Sequence, residues 1–277
     1  MKNADTNHTG SSKVPGSLLG MTRILLAVVA LLATAVPSAS AKPLPVVDVL
    51  VLYTPKSVET YGGLARLREI SAKNEAITNE SFRNSKAKVR VRVVGLEPAP
   101  DYNLDGKPEA DAAYDYLFHK PESAAALRDK YKADVMHLLA ADVGGFSNSQ
   151  TAPVAKTSPG AGKMMLVGYD RPYLVLGFTH ELGHLLGLDH DKYVGGGRFP
   201  GYEWARGYVA PSMKWRTVMA YEDKCRDAGV ECPDIPYFSN PSLTYQGERL
   251  GQPKGSPEEA DEVSMLDESA PIVAAYR

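Results

Sequence analysis

The sequence is poor in several features, and each shortage excludes something. Only two of its 277 residues are cysteines, Cys225 and Cys232, too few for a cysteine-ligated zinc module or a disulfide-dense miniprotein. Neither sign of charge dominates: 31 Lys and Arg stand against 33 Asp and Glu, a net charge of −2. No basic field is available to attract nucleic acid. Long apolar runs are also missing. The most extended, Ile24 to Val36, has thirteen residues, whereas a membrane-spanning helix needs about 20. The chain has no internal repeat and no low-complexity tail, which removes solenoids and linker-like tails from consideration.

What the apolar run does fit is an export signal. Arg23 precedes it and Ala39-Ser40-Ala41 follows, giving a basic start, a short apolar centre and a small-x-small cleavage site after Ala41. Residues 1–20 are polar and long for such a start, and Met21 begins a compact signal by itself, so Met21 reads as the initiator. The expectation is therefore a signal peptide over 1–41 and a secreted product, extracellular or periplasmic. That product, 42–277, has the length of one substantial domain or two packed lobes, with no membrane contact once the signal is removed. In an exported chain, Cys225 and Cys232, seven apart, are most simply a disulfide closing a small loop.

Histidine is scarce too, six in all, yet three fall within HELGHLLGLDH, His180 to His190. On a helix, His180 and His184 project from one face and can grip one ion. Glu181 stands beside the first ligand, placed to work on a metal-bound water. Gly187 ends the helix, because glycine takes a left-handed conformation without steric cost, and the turn can return His190 as a third ligand. Three neutral imidazoles with an open position are the ligand set of a catalytic zinc, since structural zinc is usually closed by four protein ligands. An ordinary amphipathic helix would explain Leu182, Leu185, Leu186 and Leu188, but not Glu181, Gly187 and His190 together. Of the other histidines, His137 falls inside a strand and reads as a core residue, and His119, next to Pro121, as a surface one. Asp191 directly after the last ligand either orients that loop or is solvated.

The rest of the chain alternates strands with helices. Val46 to Tyr53 (VVDVLVLY) is a β-branched apolar run expected of a strand buried on both faces. Lys56 to Ser85 follows with apolar residues at helical spacing. Lys88 to Leu96 alternates like a strand with one wet face, Ala110 to Lys132 is helical with an interruption at Pro121, and Ala133 to Ala140 returns to strand. Residues 144–162 are Gly-, Ser-, Thr- and Pro-rich, an irregular rim with a short edge strand near 151–155, and Met164 to Tyr169 is a further strand. Pro172 opens the helix that carries the histidines. Beyond His190 the chain is punctuated by glycine and proline until a final helix between Glu258 and Tyr276. The pattern argues for an α/β layer with a largely parallel sheet.

The long histidine motif followed by Met219 and Tyr221 in WRTVMAYE resembles the metzincin clan of zinc endopeptidases. DVLVLYTP at Asp48 to Pro55, FTHELGHLLGLDHD at Phe178 to Asp191, RTVMAYEDKC at Arg216 to Cys225 and YFSNP at Tyr237 to Pro241 resemble, in that order, the bacterial peptidyl-Asp metalloendopeptidases. The resemblance implies a two-lobed α/β fold: an upper lobe over about 42–190 with a twisted, mostly parallel sheet and helices, and a smaller, irregular lower lobe over about 191–277 with a C-terminal helix. It also implies one catalytic zinc on His180, His184 and His190, Glu181 as general base, Met219 as the turn beneath the metal, and Tyr221 reaching toward the metal or the intermediate. Calcium is left open.

The implied activity is that of a secreted, monomeric endopeptidase cutting protein or peptide substrates on the amino side of aspartate. That preference needs a cation near the zinc. Arg216 is the first candidate, with Arg206, Lys214 and Lys224 behind it, because an arginine can hold a carboxylate through two parallel hydrogen bonds. The resemblance further leads one to expect a second cysteine pair around 144–162, and the sequence has none. The alternatives are a secreted metzincin of broad specificity and a zinc-binding module on the same fold that no longer cuts.

Overall fold

The computed structural model describes residues 43–119, 122–141, 143, 146–147, 163–167, 176–197 and 200–277. The signal peptide expected over 1–41, the interruption at Pro121, the edge strand near 151–155 and Pro172 lie outside these residues. Residues 43–277 pack as one unit.

Strand β1 (Val46–Tyr53) lies at the heart of a five-stranded sheet. It pairs in parallel with β2 (Arg90–Pro98) on one side and β3 (Val135–Leu139) on the other; β3 in turn pairs in parallel with β5 (Lys163–Val167). A two-residue strand, β4 (Phe146–Ser147), closes the edge antiparallel to β5, giving the order β2-β1-β3-β5-β4. The apolar run of β1 is buried on both faces for the reason its sequence suggests. Val47 and Val49 enter one core, Leu50 and Leu52 another.

The first core is shared with α2 (Leu64–Ser85), α5 (Gly177–Leu185) and α7 (Glu262–Val273). The second lies beneath α3 (Glu109–His119) and α4 (Glu122–Tyr131). The segment expected as one helix from Lys56 to Ser85 is two. Helix α1 (Pro55–Tyr61), capped by the Thr54 hydroxyl on Ser57 N–H, ends at Gly62 and Gly63, whose φ values of 89° and 99° are available to glycine at little steric cost.

Helix α2 seals the exposed edge of β2. The Asn79 amide donates to the Val91 carbonyl and accepts from the Val91 N–H, and Glu75 accepts from Val93 N–H. Those side chains occupy the ladder positions another strand would otherwise take. At the other end of the chain, α7 closes the first core with Met265, Leu266 and Ala270. Between α5 and α7 regular structure is sparse: α6 (Asp223–Asp227), the hairpin of β6 (Asn240–Tyr245) and β7 (Glu248–Leu250), and isolated bridges. The hairpin turns at Gln246 and Gly247, both at positive φ, as a tight two-residue turn requires. Among the described residues no helix is long and apolar enough to cross a membrane.

Candidate metal centre

Helix α5 carries the first two histidines, and its end follows from its sequence. Leu188 N–H donates to the Gly183 carbonyl and Gly187 N–H to the His184 carbonyl, with Gly187 at φ 91°. This doubly bonded, left-handed stop uses up carbonyls that a helix end otherwise leaves orphaned. It also frees the chain to turn back, and His190 arrives beside its two predecessors. The imidazole nitrogens of His180, His184 and His190 lie within 4.8 Å of one another, with His184 Nε2 and His190 Nε2 3.0 Å apart.

Two of the rings are oriented from behind. His180 Nδ1 lies 2.9 Å from the Val218 carbonyl and His184 Nδ1 2.9 Å from the Leu188 carbonyl, so each Nδ1 carries the proton and each Nε2 keeps a bare lone pair. Burial, with repulsion from His184, pushes the His180 imidazolium down to about 3, so this ring is neutral at any ordinary pH. Three imidazoles converging on one place, two of them with Nε2 left bare, fit a divalent metal such as zinc, which takes neutral imidazole nitrogens as ligands.

Met219 is fully buried and packs against helix α5. Its thioether occupies the space a side chain at Gly183 would need: a Cβ there would lie 2.5 Å from Met219 Sδ. Gly183, inside the HELGH motif, is thus a packing requirement of the floor that sequence reading had not singled out. The floor is also tied to the helix through Val218, whose N–H donates to Tyr237 and whose carbonyl holds His180.

The loop after His190 is held by two buried carboxylates. Asp191 accepts from Tyr193 N–H and from Tyr221 N–H, both near 3 Å, linking the third-histidine loop to the chain beyond Met219. Asp189, which sequence reading missed, accepts from His190 N–H and Gly197 N–H at 2.9 Å each. Gly196 has to be glycine in this packing, because a Cβ would come within 1.7 Å of the His190 carbonyl oxygen. Both carboxylates act on backbone N–H groups, and only the Gly195-Gly196-Gly197 run after His190 hinted at such a loop.

Tyr221 is 41 % exposed, with its ring centroid 4.1 Å from that of His190 and 5.7 Å from that of His180. Glu181, 6 % exposed, shares with His180, Tyr221 and Arg216 the lining of a cavity of about 370 Å³. Of the four cations suggested for an acidic substrate, Arg216 alone reaches this cavity. Arg206 is displaced by its structural work: it is buried, with Nε donating to the Glu259 carbonyl and Nη1 to that of Gly196. Together with Lys224, Asp191 and Gly207 it lines a separate cavity of about 560 Å³. Lys214 is exposed on a turn and lines neither. His137 is wholly buried in β3 with its ring edge-on to Phe178, away from the metal cluster. The Cys225–Cys232 disulfide is formed.

With this geometry in view, residues 67–191 match the family described as Metallo-peptidase family M12B Reprolysin-like. The matched stretch resembles a reprolysin-like metallopeptidase domain. It runs from within α2 through the third histidine and ends at Asp191, 28 residues before Met219. Over a longer span the chain is similar to the peptidyl-Asp metalloendopeptidase of Pseudomonas aeruginosa, 29% identical over 273 residues that cover 89% of this chain and 43% of that protein. It is likewise similar to that of Stenotrophomonas maltophilia, 27% identical over 242 residues that cover 83% of this chain and 52% of that protein. The chain thus spans about half the length of these curated relatives. Among solved structures, one titled "Structure of a chaperone-substrate complex" shares the fold, with a TM-score of 0.62 and 19% identity over 85% of this chain and 35% of that one.

Proposed function

We propose that the metallopeptidase domain is a secreted zinc endopeptidase that hydrolyses protein or peptide substrates on the amino side of aspartate. The observation that carries the reading is the cluster of His180, His184 and His190, two of its rings fixed by backbone carbonyls, with Glu181 in the adjoining cavity. The peptidyl-Asp name of the relatives supports the substrate class.

His180, His184 and His190 would hold the zinc through their Nε2 atoms. The ion, when bound, supplies Lewis acidity that brings deprotonation of water into the neutral range and polarises the scissile carbonyl. The remaining steps belong to the chain's own groups. A carboxylate oxygen of Glu181 takes the proton from the attacking water and returns it to the leaving amine. The Tyr221 hydroxyl, on the exposed side of His190, donates to the developing oxyanion. Arg216 at the cavity wall takes the carboxylate of an aspartate placed just after the scissile bond. For the domain as a whole we propose a signal peptide over 1–41, an upper lobe to about His190 and a lower lobe from Asp191 onward, with the site between the two.

Mapping cleavage sites on a mixed peptide library, with and without a zinc chelator, tests this. Chelator-sensitive cuts concentrated before Asp are expected. Cuts spread over many residues would favour a broad-specificity metzincin, and zinc binding without any cut a binding module.

A further inference from the structure

Arg216 is fixed from two sides. Its Nε donates to the Ala220 carbonyl at 3.0 Å, and its Nη1 donates to the Cys232 carbonyl. Its backbone is strapped to the same segment, with Arg216 N–H donating to the Pro233 carbonyl and Ile235 N–H to the Arg216 carbonyl. Among the described residues the guanidinium forms no ion pair and Nη2 donates to no acceptor, so part of the fork is left for a ligand. Two of these four contacts lie at or next to Cys232, the end of the loop closed by the Cys225–Cys232 disulfide, whose two cysteines are buried.

The same loop bears on the charge of the cavity. Besides Glu181, three carboxylates line it, those of Glu222, Asp223 and Asp234. Left unbalanced, they would repel an acidic side chain and attract a basic one. Arg226, inside the loop, offsets two of them: it is bonded to Asp223 and lies 3.6 Å from Glu222. Arg216 then remains as the cavity's unpaired cation.

We infer that the disulfide-closed loop 225–232 is the specificity element of the site. Its Cys232 carbonyl holds the Arg216 fork in place, and its Arg226 cancels the rim carboxylates that would otherwise favour a basic residue after the cut. Arg216 touches the substrate, whereas Cys232 and Arg226 are positioning residues. The inference rests on the endopeptidase reading above and adds to it the part of the chain that selects aspartate.

Matched peptides differing only in the residue after the scissile bond (Asp, Asn or Lys) test it, with kcat/KM and bound zinc measured for wild type, Arg216→Gln, Arg226→Gln and the Cys225→Ser/Cys232→Ser double variant. The Asp-to-Asn ratio should fall at least about tenfold in Arg216→Gln and in the double variant, a factor equivalent to about 1.4 kcal/mol, mainly through KM and with zinc retained. In Arg226→Gln the Asp-to-Lys ratio should fall, and because Arg226 is exposed this variant decides the question even where the double variant does not fold. Ratios unchanged in Arg226→Gln or in a folded double variant would overturn the inference, as would a wild-type protein that cuts all three peptides alike. A wild-type protein that cuts none of them would instead overturn the underlying endopeptidase reading.

Discussion

One wall of the histidine cluster is the helix α5, packed into the core by Phe178, Leu182, Leu185 and Leu186 and ended by a glycine. The facing wall, from Trp204 to Asn240, has a single five-residue helix, and its order comes from individual long-range bonds. Thr217 accepts from Tyr208 N–H, Asp191 from Tyr221 N–H, and Ser239 donates to the Arg206 carbonyl. The helical wall gets its precision from repetition: each turn repeats the same bond and the apolar face averages over many contacts. The irregular wall has no such redundancy. Each of its bonds positions one group, and losing one should displace that group directly.

The largest break of this contrast is at Met219, where the two walls touch. Truncating it to alanine should cost about 2–5 kcal/mol, because a fully buried side chain packed on Gly183 leaves a cavity that a helix and a turn cannot both collapse into. Chemical denaturation measures it, and a loss below about 1 kcal/mol would show that the floor is not shared.

Asp191→Asn should come next. An amide replaces one of two acceptor oxygens by a donor that faces Tyr221 N–H or Tyr193 N–H, so one buried bond is lost at about 1–3 kcal/mol. Zinc should stay bound while cleavage slows, since the displaced element is Tyr221 and not a ligand. Equal loss of zinc affinity and activity would place Asp191 with the ligands.

A third effect is one of pH. Glu262, buried at the start of α7, accepts from Ser239 N–H, and burial raises its carboxyl to about 8, with Asp261 and Asp189 adding to the rise. The folded state therefore keeps a proton that the unfolded state releases above about 4.5. Stability from this group is complete below that value and declines as pH rises toward 8, by up to about 1.4 kcal/mol per pH unit. Glu262→Gln should flatten the decline in denaturant melts between pH 5.5 and 8. A variant with the wild-type slope would show that the carboxyl is already ionised in the fold.

The same contrast explains what could be read from the sequence. β1, β2, β3 and β5, the α5 motif, the stop at Gly187 and the closing helix α7 all announce themselves by periodicity or by a residue with a single conformational role. The break at Gly62 and Gly63 was hidden because the apolar spacing continues in phase across it. In the irregular wall, nothing distinguishes Arg206, a clamp on two carbonyls, from Arg216, which faces the site: both are arginines in a Gly- and Pro-rich stretch, and only the fold separates them. Asp189 and Gly183 escaped notice for a similar reason, since each serves a backbone or a thioether distant in sequence.

The most direct test is hydrolysis of a peptide with a single aspartate by the purified chain, with and without a zinc chelator, beside Glu181→Gln with its zinc content measured. The wild-type protein should cut before the aspartate only without chelator, and Glu181→Gln should bind one equivalent of zinc yet cut at least about 10²-fold more slowly. One equivalent of zinc with no cleavage by the wild type, or wild-type cleavage by Glu181→Gln, would contradict the assignment of His180, His184, His190 and Glu181 to one hydrolytic centre.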